Sequence, residues 1–353
     1  MMTNVVLLRP AECRDPGVQS ARLIRSFAKE RRAQGDVFWL KENAELLGVL
    51  ASTGAALDAE ALEPLAAFHA GCRGLLRNFP QYYRFILSIC LDLEAIGLPK
   101  QHGAALCGRV ARADLEGAEL SDLQRAEARR LLRRRGVGPQ VGDGALGQRL
   151  RDFVSRSVTF AMPNRKAAYE LTHIIFYLSD YGRQIPELPD GTLKSLHFTG
   201  LLAFLDQDMD LLAEVCAALR FSGNYPSPLW EDAIAAYHRA LRVQAEPDAP
   251  MHDDYHEFLV TGWAMKIADR SSLAQTMPQG ALRFHASRSG QGALRPLAAC
   301  LNDMGAQRRA DWGYMRPHVL SYLGPDSHAI LLAAERSGPH FEQFFEGFAR
   351  VRA

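Results

Sequence analysis

The sequence predicts an all-α protein built from antiparallel helical hairpins. Apolar residues recur with helical spacing along most of the chain, the predicted helices are about 14 to 20 residues long, and short loops join them. Strand patterns are confined to residues 4–8 and 281–287. Two arrangements stay open: an α/α barrel whose helices surround a central cavity, and an irregular α-solenoid. A repeat of about 30–50 residues is not seen, which argues against a regular helical-repeat array.

The length of the chain predicts two lobes. Its 353 residues exceed the roughly 250–300 residues at which a single hydrophobic core stops growing. A stretch rich in glycine, with proline and glutamine, is the best candidate boundary. We therefore expect an N-terminal helical lobe over residues 1–135, a linker over residues 136–148, and a C-terminal helical lobe over residues 149–353.

The helices predicted for the first half of the chain cover residues 36–54, 58–79, 80–99 and 121–136. Asp36 and Asp58 are predicted N-cap residues, because a carboxylate accepts hydrogen bonds from the free backbone N–H groups of a first turn. Pro80 is expected at the first helical position, where its missing N–H is not needed. Ser121 and Gln124 have the spacing of a capping box.

The helices predicted for the second half cover residues 164–182, 191–207, 208–223, 227–244, 255–270, 292–305 and 338–351. The second and third of these form a helical hairpin that ends at Gly223, because glycine readily adopts the left-handed conformation that follows a helix. Ser227 is the predicted N-cap of the next helix, with Pro228 at its first position.

The composition is that of an ordinary globular protein. Hydrophobic residues make up 48% and charged residues 23%, and the net charge is +1. No global field therefore attracts nucleic acid or an anionic membrane, and no stretch approaches the roughly 18 apolar residues of a membrane span. The six cysteines form no CxxC pair, so we expect reduced, buried thiols in a cytoplasmic protein.

A polar stripe runs along the predicted helix of residues 164–182. Tyr169, His173, Tyr177 and Asp180 follow the spacing i, i+4, i+8, i+11 and share one side of the helix. The other side is apolar and holds Leu171, Ile174, Ile175 and Leu178. We expect one face of this helix to pack in the core and the other to face a cavity.

Three interpretations of His173 stay open. In the structural one it pairs with Asp180 or with a backbone carbonyl, because an unsatisfied buried polar group costs about 1–3 kcal/mol. In the second it takes part in ligand binding or proton transfer, with Tyr169 and Arg183 as further ligand-binding residues. The third is metal ligation, and since His173 and Asp180 lie about 10 Å apart along one helix, other ligands must come from elsewhere.

The segment MHDDYHEF is the second source of candidate residues. His252 and His256 are four residues apart and share a helix face, and Asp254 adds a carboxylate, a set that suits Zn²⁺ or Fe²⁺. The structural alternative is a helix N-terminus with Asp253 or Asp254 as N-cap and His252 in solvent. Trp263 lies seven residues after His256 and predicts an aromatic wall beside the imidazole.

Two further basic segments are candidate anion sites. Residues 125–135 hold six arginines and one glutamate, but few aromatic residues interleave, so nucleic-acid binding is not expected. The alternative is a solvated helix C-terminus favoured by the helix dipole. Residues 279–296 combine glycines with Arg283, His285 and Arg288 but match no phosphate-binding motif, which favours a surface loop.

Four segments resemble a bacterial all-helical family that carries a domain-of-unknown-function label. They are VVLLRPAECRDPGVQSARLIRSF, FAMPNRKAAYELTHIIFYLSDYG, LLAFLDQDMDLLAEVCAALR and DDYHEFLVTGWAM. The chain is also similar, more distantly, to helical proteins of natural-product clusters in which a Thr-His-x-x-Phe-Tyr helix precedes a Tyr-His helix. This resemblance implies an α/α-barrel arrangement and brings no activity with it.

Two functions are consistent with these patterns. In the first, the chain is a binding or accessory protein that holds a small molecule, a peptide or a protein partner in a central cavity or concave surface, because no standard catalytic motif is present. In the second, it is an α/α-barrel enzyme, with or without a metal, that acts on a biosynthetic intermediate. His173 or His256 is then the general base. Asp180 orients that base, and Tyr177 donates to developing negative charge. The sequence identifies no cofactor.

Overall fold

Sixteen α-helices and one small sheet make up the described part of this computed structural model, which covers residues 15–138, 144–246, 252–270, 276–287, 290 and 292–350. The helices are α1 (Pro16–Arg25), α2 (Val37–Ser52), α3 (Ala59–Asn78), α4 (Tyr83–Ile96), α5 (Gly103–Arg112), α6 (Asp122–Arg133), α7 (Leu146–Val154), α8 (Arg165–Leu178), α9 (Gly191–Asp206), α10 (Met209–Phe221), α11 (Pro228–Ala240), α12 (Tyr255–Ile267), α13 (Leu294–Met304), α14 (Trp312–Tyr322), α15 (Pro325–Arg336) and α16 (Phe341–Ala349). The strands are β1 (Arg242–Ala245) and β2 (Leu282–His285).

The all-α fold class is confirmed, and so is the strand predicted within residues 281–287. This strand, β2, pairs antiparallel with β1, and Val243 lies opposite Phe284. The other predicted strand, residues 4–8, lies outside the described residues. The barrel and the solenoid both stay predictions.

The prediction of a surface loop over residues 279–296 is wrong for the central part of that segment. β2 runs through it and is mostly buried, and only 3% of Arg283 is exposed. The strand is buried because its apolar side chains complete the core of the N-terminal helices. Arg288, which belongs to the same predicted loop, lies outside the described residues.

Aspartate side chains begin the first helices as predicted. Asp36 accepts a hydrogen bond from the backbone N–H of Phe38 at 2.9 Å, and Asp58 accepts one from the backbone N–H of Ala61 at 2.8 Å. Pro80 opens a 3₁₀ turn that leads directly into α4. The aspartates therefore satisfy N–H groups that have no partner inside the helix.

The capping box predicted at Ser121 is wrong. Ser121 precedes α6, but its side chain makes no capping hydrogen bond. In the amide orientation that satisfies both of its polar atoms, Gln124 donates to Glu119 and accepts from Arg84, each at 3.1 Å, because α6 packs against α4 and places this residue at the contact. Gln124 therefore makes tertiary contacts in place of the capping hydrogen bond that the local motif requires.

The predicted helical hairpin of α9 and α10 is confirmed. Gln207, in the left-handed conformation, ends α9, and Asp208 begins α10 by accepting a hydrogen bond from the backbone N–H of Leu211 at 3.1 Å. Both helices are buried on most of their faces. This hairpin therefore forms the centre of the C-terminal part of the protein.

Two hydrophobic cores are present, and they do not follow the chain order strictly. The first is built mainly from α1 to α6, and Phe258, Met277 and Phe284 from later in the chain complete it. The second is built mainly from α7 to α16. Helix α12 contributes Leu259 to the first core and Trp263 to the second. The predicted lobe boundaries stay a prediction, and residues 139–143 of the predicted linker lie outside the described residues.

The arginines of residues 125–135 mostly point inward, so the prediction of a solvated helix end is wrong. Four of them form close ion pairs with carboxylates of other elements: Arg129 with Glu116 at 2.6 Å, Arg130 with Asp180 at 2.8 Å, Arg134 with Asp92 at 2.6 Å and Arg135 with Glu94 at 2.6 Å. The carboxylates that receive them lie on α4 and in the turns after α5 and α8. Helix α6 is thus a charged junction rather than a basic surface.

Replacing Arg130 by methionine is expected to lower the free energy of unfolding by roughly 1–3 kcal/mol, because a hydrogen-bonded charge pair is lost. Arg130 is 8% exposed, and its guanidinium also stacks on the Tyr181 ring at 4.3 Å. Urea unfolding followed by far-ultraviolet circular dichroism measures the change. The matched control is Arg133→Met, an exposed position on the same helix, for which we expect a change within about 0.5 kcal/mol. Equal losses in both variants would contradict the junction role of Arg130.

Among the residues that the structure describes, no helix is both long enough and apolar enough to cross a membrane.

Candidate functional site

A cavity of about 230 Å³ lies where the helices of the two cores meet. Helices α2, α4 and α6 form one wall, and α8, α10 and α12 form the other. Six residues predicted from the sequence line it: Tyr169, His173, Tyr177, Arg183, His256 and Trp263. The two histidine-bearing helices therefore share one cavity.

Helix α8 presents its polar stripe to the cavity and its apolar side to the core. The side chain of Asn164 begins the helix by accepting a hydrogen bond from the backbone N–H of Ala167 at 3.0 Å. Leu171 and Ile175 are fully buried in the second core. Tyr169 lies on the cavity wall and is 48% exposed. The helical period sorts the two kinds of side chain onto opposite faces.

The imidazole of His173 is neutral, and its tautomer follows from one contact. Nδ1 lies 3.0 Å from the backbone carbonyl oxygen of Tyr169. Because a carbonyl only accepts, Nδ1 carries the proton and Nε2 has a free lone pair. Burial lowers the pKa of His173 to about 4. Nε2 has no hydrogen-bond partner within the part of the chain that the structure describes.

Asp180 does not orient His173, which corrects the prediction. Helix α8 ends at Leu178, and Asp180 lies in the following turn with a left-handed backbone (φ 47°), so the helical spacing no longer applies to it. Its carboxylate accepts a hydrogen bond from Arg130 at 2.8 Å and lies 3.3 Å from Arg183. Asp180 thus connects the turn after α8 to α6.

His256 is held by a carboxylate from the neighbouring helix. Its Nδ1 lies 2.8 Å from Oδ1 of Asp210 on α10. Burial alone would lower the pKa of His256, but the hydrogen bond and the charge of Asp210 outweigh burial and raise the pKa to about 9. At neutral pH the ring is therefore an imidazolium, which donates one proton to Asp210 and keeps the Nε2 proton for another acceptor.

Glu214 is a site residue that the sequence analysis missed. It lies one turn after Asp210, is 5% exposed, and accepts a hydrogen bond from the Thr172 hydroxyl at 2.6 Å. The same oxygen lies 3.7 Å from Nδ1 of His173. Burial, helped by the charge of Asp210, raises the pKa of Glu214 to about 7. The signal in the sequence was a glutamate within the otherwise apolar run LLAEVCAAL.

Aromatic side chains supply most of the apolar surface of the cavity. Trp263 contacts Phe176 with ring centroids 5.0 Å apart, and its indole N–H donates to the hydroxyl of Ser52 at 3.0 Å. This bond ties α12 to α2 across the junction. The hydroxyls of Tyr177 and Tyr181 have no hydrogen-bond partner among the residues that the structure describes. Burial raises the pKa of both phenols, so both stay protonated and can donate.

The predicted metal set of His252, Asp254 and His256 is not brought together. His252 is exposed, and Asp254 precedes α12 and accepts a hydrogen bond from the backbone N–H of Ala286 at 2.7 Å. His256 is bound to Asp210. These residues therefore serve the start of α12 and the cavity wall, which agrees better with the structural alternative.

A family model described as "Domain of unknown function (DUF6902)" matches residues 2–351. Neither a curated protein nor a solved structure matches the chain. The resemblance to a family with such a label, predicted from the sequence, is confirmed.

Proposed function

The chain belongs to the family described as Domain of unknown function (DUF6902), and we propose that its function is to bind a small molecule in the cavity between α8, α10 and α12 and the N-terminal helices. The volume of about 230 Å³ lies below the roughly 300–1,000 Å³ of drug-sized pockets. This size favours a metabolite-sized ligand over the peptide or protein partner that the sequence also allowed.

A convergence of unpaired polar groups on one cavity carries the proposal. Nε2 of His173 is a free acceptor, Nε2–H of His256 is a charged donor, and the hydroxyls of Tyr177 and Tyr181 are neutral donors. These groups reach the space of the cavity, and the His256 side chain is 33% exposed, so a bound ligand would replace the solvent that pairs with them. A bound ligand would satisfy them together.

The side chains that line the cavity indicate which chemical properties the ligand has. Trp263 and Phe176 offer aromatic surface, so part of the ligand is apolar or aromatic. Among the four unpaired groups named above, three donate and one accepts, and His256 is cationic, so the polar part carries acceptors and is neutral or anionic. A compact aromatic carboxylate has both properties.

Removing one cavity hydroxyl is expected to weaken ligand binding by roughly three- to tenfold, which is the loss of one neutral hydrogen bond. Tyr177→Phe deletes only that group. The full chain is purified, denatured, and its released small molecules are identified by liquid chromatography and mass spectrometry. Affinity for the identified compound is then measured by calorimetry. If nothing is released, a set of aromatic carboxylates is screened by thermal shift.

The matched control for this measurement is Tyr225→Phe. Tyr225 is 83% exposed and lies outside the cavity, so its variant should bind as the wild type does. Equal affinities for the two variants would contradict the assignment of the cavity. A wild-type chain that neither retains nor binds any compound of this class would contradict the proposed function.

Acid–base catalysis on the bound molecule is a second candidate, favoured by the separation of three pKa values in one cavity. His173 is near 4, Glu214 near 7 and His256 near 9. Catalytic acid–base pairs usually consist of neighbouring titratable groups whose environments shift their pKa values in opposite directions. Glu214 would move the proton, since its pKa lies close to neutral pH. His256, predicted as a base, would instead donate to developing negative charge.

Incubation of the identified ligand with fresh protein tests this second candidate. Turnover in the wild type that disappears in Glu214→Gln, while calorimetry still shows binding, supports catalysis. Ligand that is recovered unchanged from the wild type would leave binding as the function.

A further inference from the structure

Two buried thiols meet between α3 and α4, away from the cavity. The cysteines that the structure describes are free and buried, as predicted, and Cys13 lies outside the described residues. The Sγ atoms of Cys72 and Cys90 lie 3.9 Å apart. Cys107, equally buried, makes its sulfur contact with a backbone carbonyl of α6 instead. The pairing of Cys72 with Cys90 is therefore not a general feature of the cysteines in this core.

An imidazole and a carboxylate complete this group, which we call the α3–α4 cluster. The cluster consists of His69, Cys72, Cys90 and Glu94. Two of these residues lie three apart on α3 and two lie four apart on α4, so each pair shares the face where the helices pack. All four are at most 6% exposed.

Three residues of the α3–α4 cluster, His69, Cys90 and Glu94, are close enough together to surround one ion. Nε2 of His69 lies 3.4 Å from Oε1 of Glu94, and Sγ of Cys90 lies 3.9 Å from the same oxygen. The ligand atoms of His69, Cys90 and Glu94 all lie within 4.8 Å of one another. Bond lengths of about 2.0–2.3 Å in a tetrahedral site place ligand atoms roughly 3.3–3.8 Å apart. A contraction of up to about 1 Å brings these three ligand atoms around one ion. Cys72, whose Sγ lies 3.9 Å from that of Cys90, is not one of the three.

The surroundings of the cluster match those of a ligating carboxylate. Backbone N–H groups of His102 and Gly103 donate to Oε1 of Glu94 at 2.8 and 2.9 Å, and Arg135 donates to Oε2 at 2.6 Å. Such outer bonds fix the orientation of a metal ligand. Packing alone explains Glu94, which anchors the start of α5, but it does not explain why two thiols and an imidazole surround that carboxylate.

A second observation at the same place is an orphaned nitrogen. Nδ1 of His102 is buried and has no hydrogen-bond partner in the described part of the chain. The ring of His102 lies edge-on to that of His69, with centroids 4.8 Å apart. An unpaired polar atom therefore lies next to the cluster.

We propose that the α3–α4 cluster binds one Zn²⁺ as a structural ion. Thiolate and imidazole ligands select zinc over magnesium and calcium. His69, Cys90 and Glu94 supply three ligands, and Cys72, beside Cys90, completes the four of a closed site when its side chain turns towards them. Binding releases the two thiol protons to solvent. Two thiolates and one carboxylate carry three negative charges, and Zn²⁺ carries two positive charges. The remaining negative charge is neutralised by Arg135, which forms an ion pair with Glu94.

Metal analysis of the full chain tests the proposal. The protein is purified under reducing conditions without chelator, and zinc is measured by inductively coupled plasma mass spectrometry. We expect one zinc per chain, a fall in Tm on adding a chelator, and a thiolate-to-cobalt charge-transfer band when Co²⁺ replaces zinc. In Cys90→Ser the affinity for zinc should fall by more than about 100-fold, since even changes outside the ligand shell cost 10–100-fold.

Cys107→Ser is the control, because it removes an equally buried thiol of the same core that lies outside the cluster. It should keep its zinc. If Cys90→Ser fails to fold, the cobalt spectrum of the wild type tests the proposal by itself, because a thiolate-to-cobalt charge-transfer band appears only when a cysteine binds the metal. Three results would overturn the proposal: a reduced wild-type chain that takes up neither zinc nor cobalt, equal metal loss in Cys107→Ser, or a Cys72–Cys90 disulfide that persists under reductant.

Discussion

Replacing Arg31 by methionine is expected to lower the free energy of unfolding by about 3–5 kcal/mol, which is the usual cost of removing one partner from a buried charge pair. The guanidinium is 2% exposed and binds both oxygens of Asp253, at 2.7 and 2.9 Å, and Glu42 at 3.0 Å. It also donates to the backbone carbonyl of Leu282. Without it, the buried carboxylate of Asp253 loses its ion-pair partner, and only the longer-range charge of Arg283 remains. Glu42 keeps its bond to Arg32.

Arg25→Met provides the comparison, because Arg25 is 68% exposed in an ion pair with Glu30 at 3.5 Å. An exposed pair contributes about 0–1 kcal/mol. Urea unfolding followed by tryptophan fluorescence measures both variants. A loss in Arg31→Met no larger than that in Arg25→Met would mean that the buried network does not hold the segment after α1 to the segment before α12.

The network around Arg31 shows what the sequence could not reveal. Arg31 and Asp253 are 222 residues apart, and nothing in the local pattern of either segment indicates the other. Local rules explained the helices, the aspartate caps and the hairpin, because each depends on neighbouring residues only. They failed in the segment MHDDYHEF, where a metal site was predicted. There Asp253 is needed by Arg31, and Asp254 by the backbone of Ala286.

The residues of the candidate site also fall into two groups: those that could be predicted from the sequence and those that could not. Tyr169, His173 and Tyr177 could be predicted because α8 is two-faced, and a polar stripe on such a helix is visible in its period. Glu214 could not be predicted in this way, because α10 is buried on nearly every side and has no polar stripe along one face. A single carboxylate inside an apolar helix was the only signal, and its importance appears once α8 and α12 are placed beside it.

Glu214→Gln is expected to stabilise the protein at alkaline pH by on the order of 3 kcal/mol and to have little effect at pH 4.5 and below. The pKa of Glu214 is about 7 in the folded protein, against an ordinary value of 4.5. Between these values the folded chain holds the proton while the unfolded chain has released it, so stability falls as pH rises from 4.5 through 7. Each unit of difference corresponds to about 1.4 kcal/mol. Glutamine resembles the protonated carboxyl and removes this dependence.

The difference in unfolding free energy between variant and wild type reports mainly on Glu214. His256 also loses stabilising free energy as pH rises, from its ordinary 6.5 through its raised pKa of about 9, and it is present in both proteins, although the charge of Glu214 is one of the smaller contributions to that raised pKa. The difference should therefore grow between pH 5 and 8. Glu346→Gln, at an exposed position of α16, is the control variant measured over the same range. A flat curve for Glu214→Gln would mean that the carboxylate is solvated when ionised, and the acid–base role in the cavity would lose its physical basis.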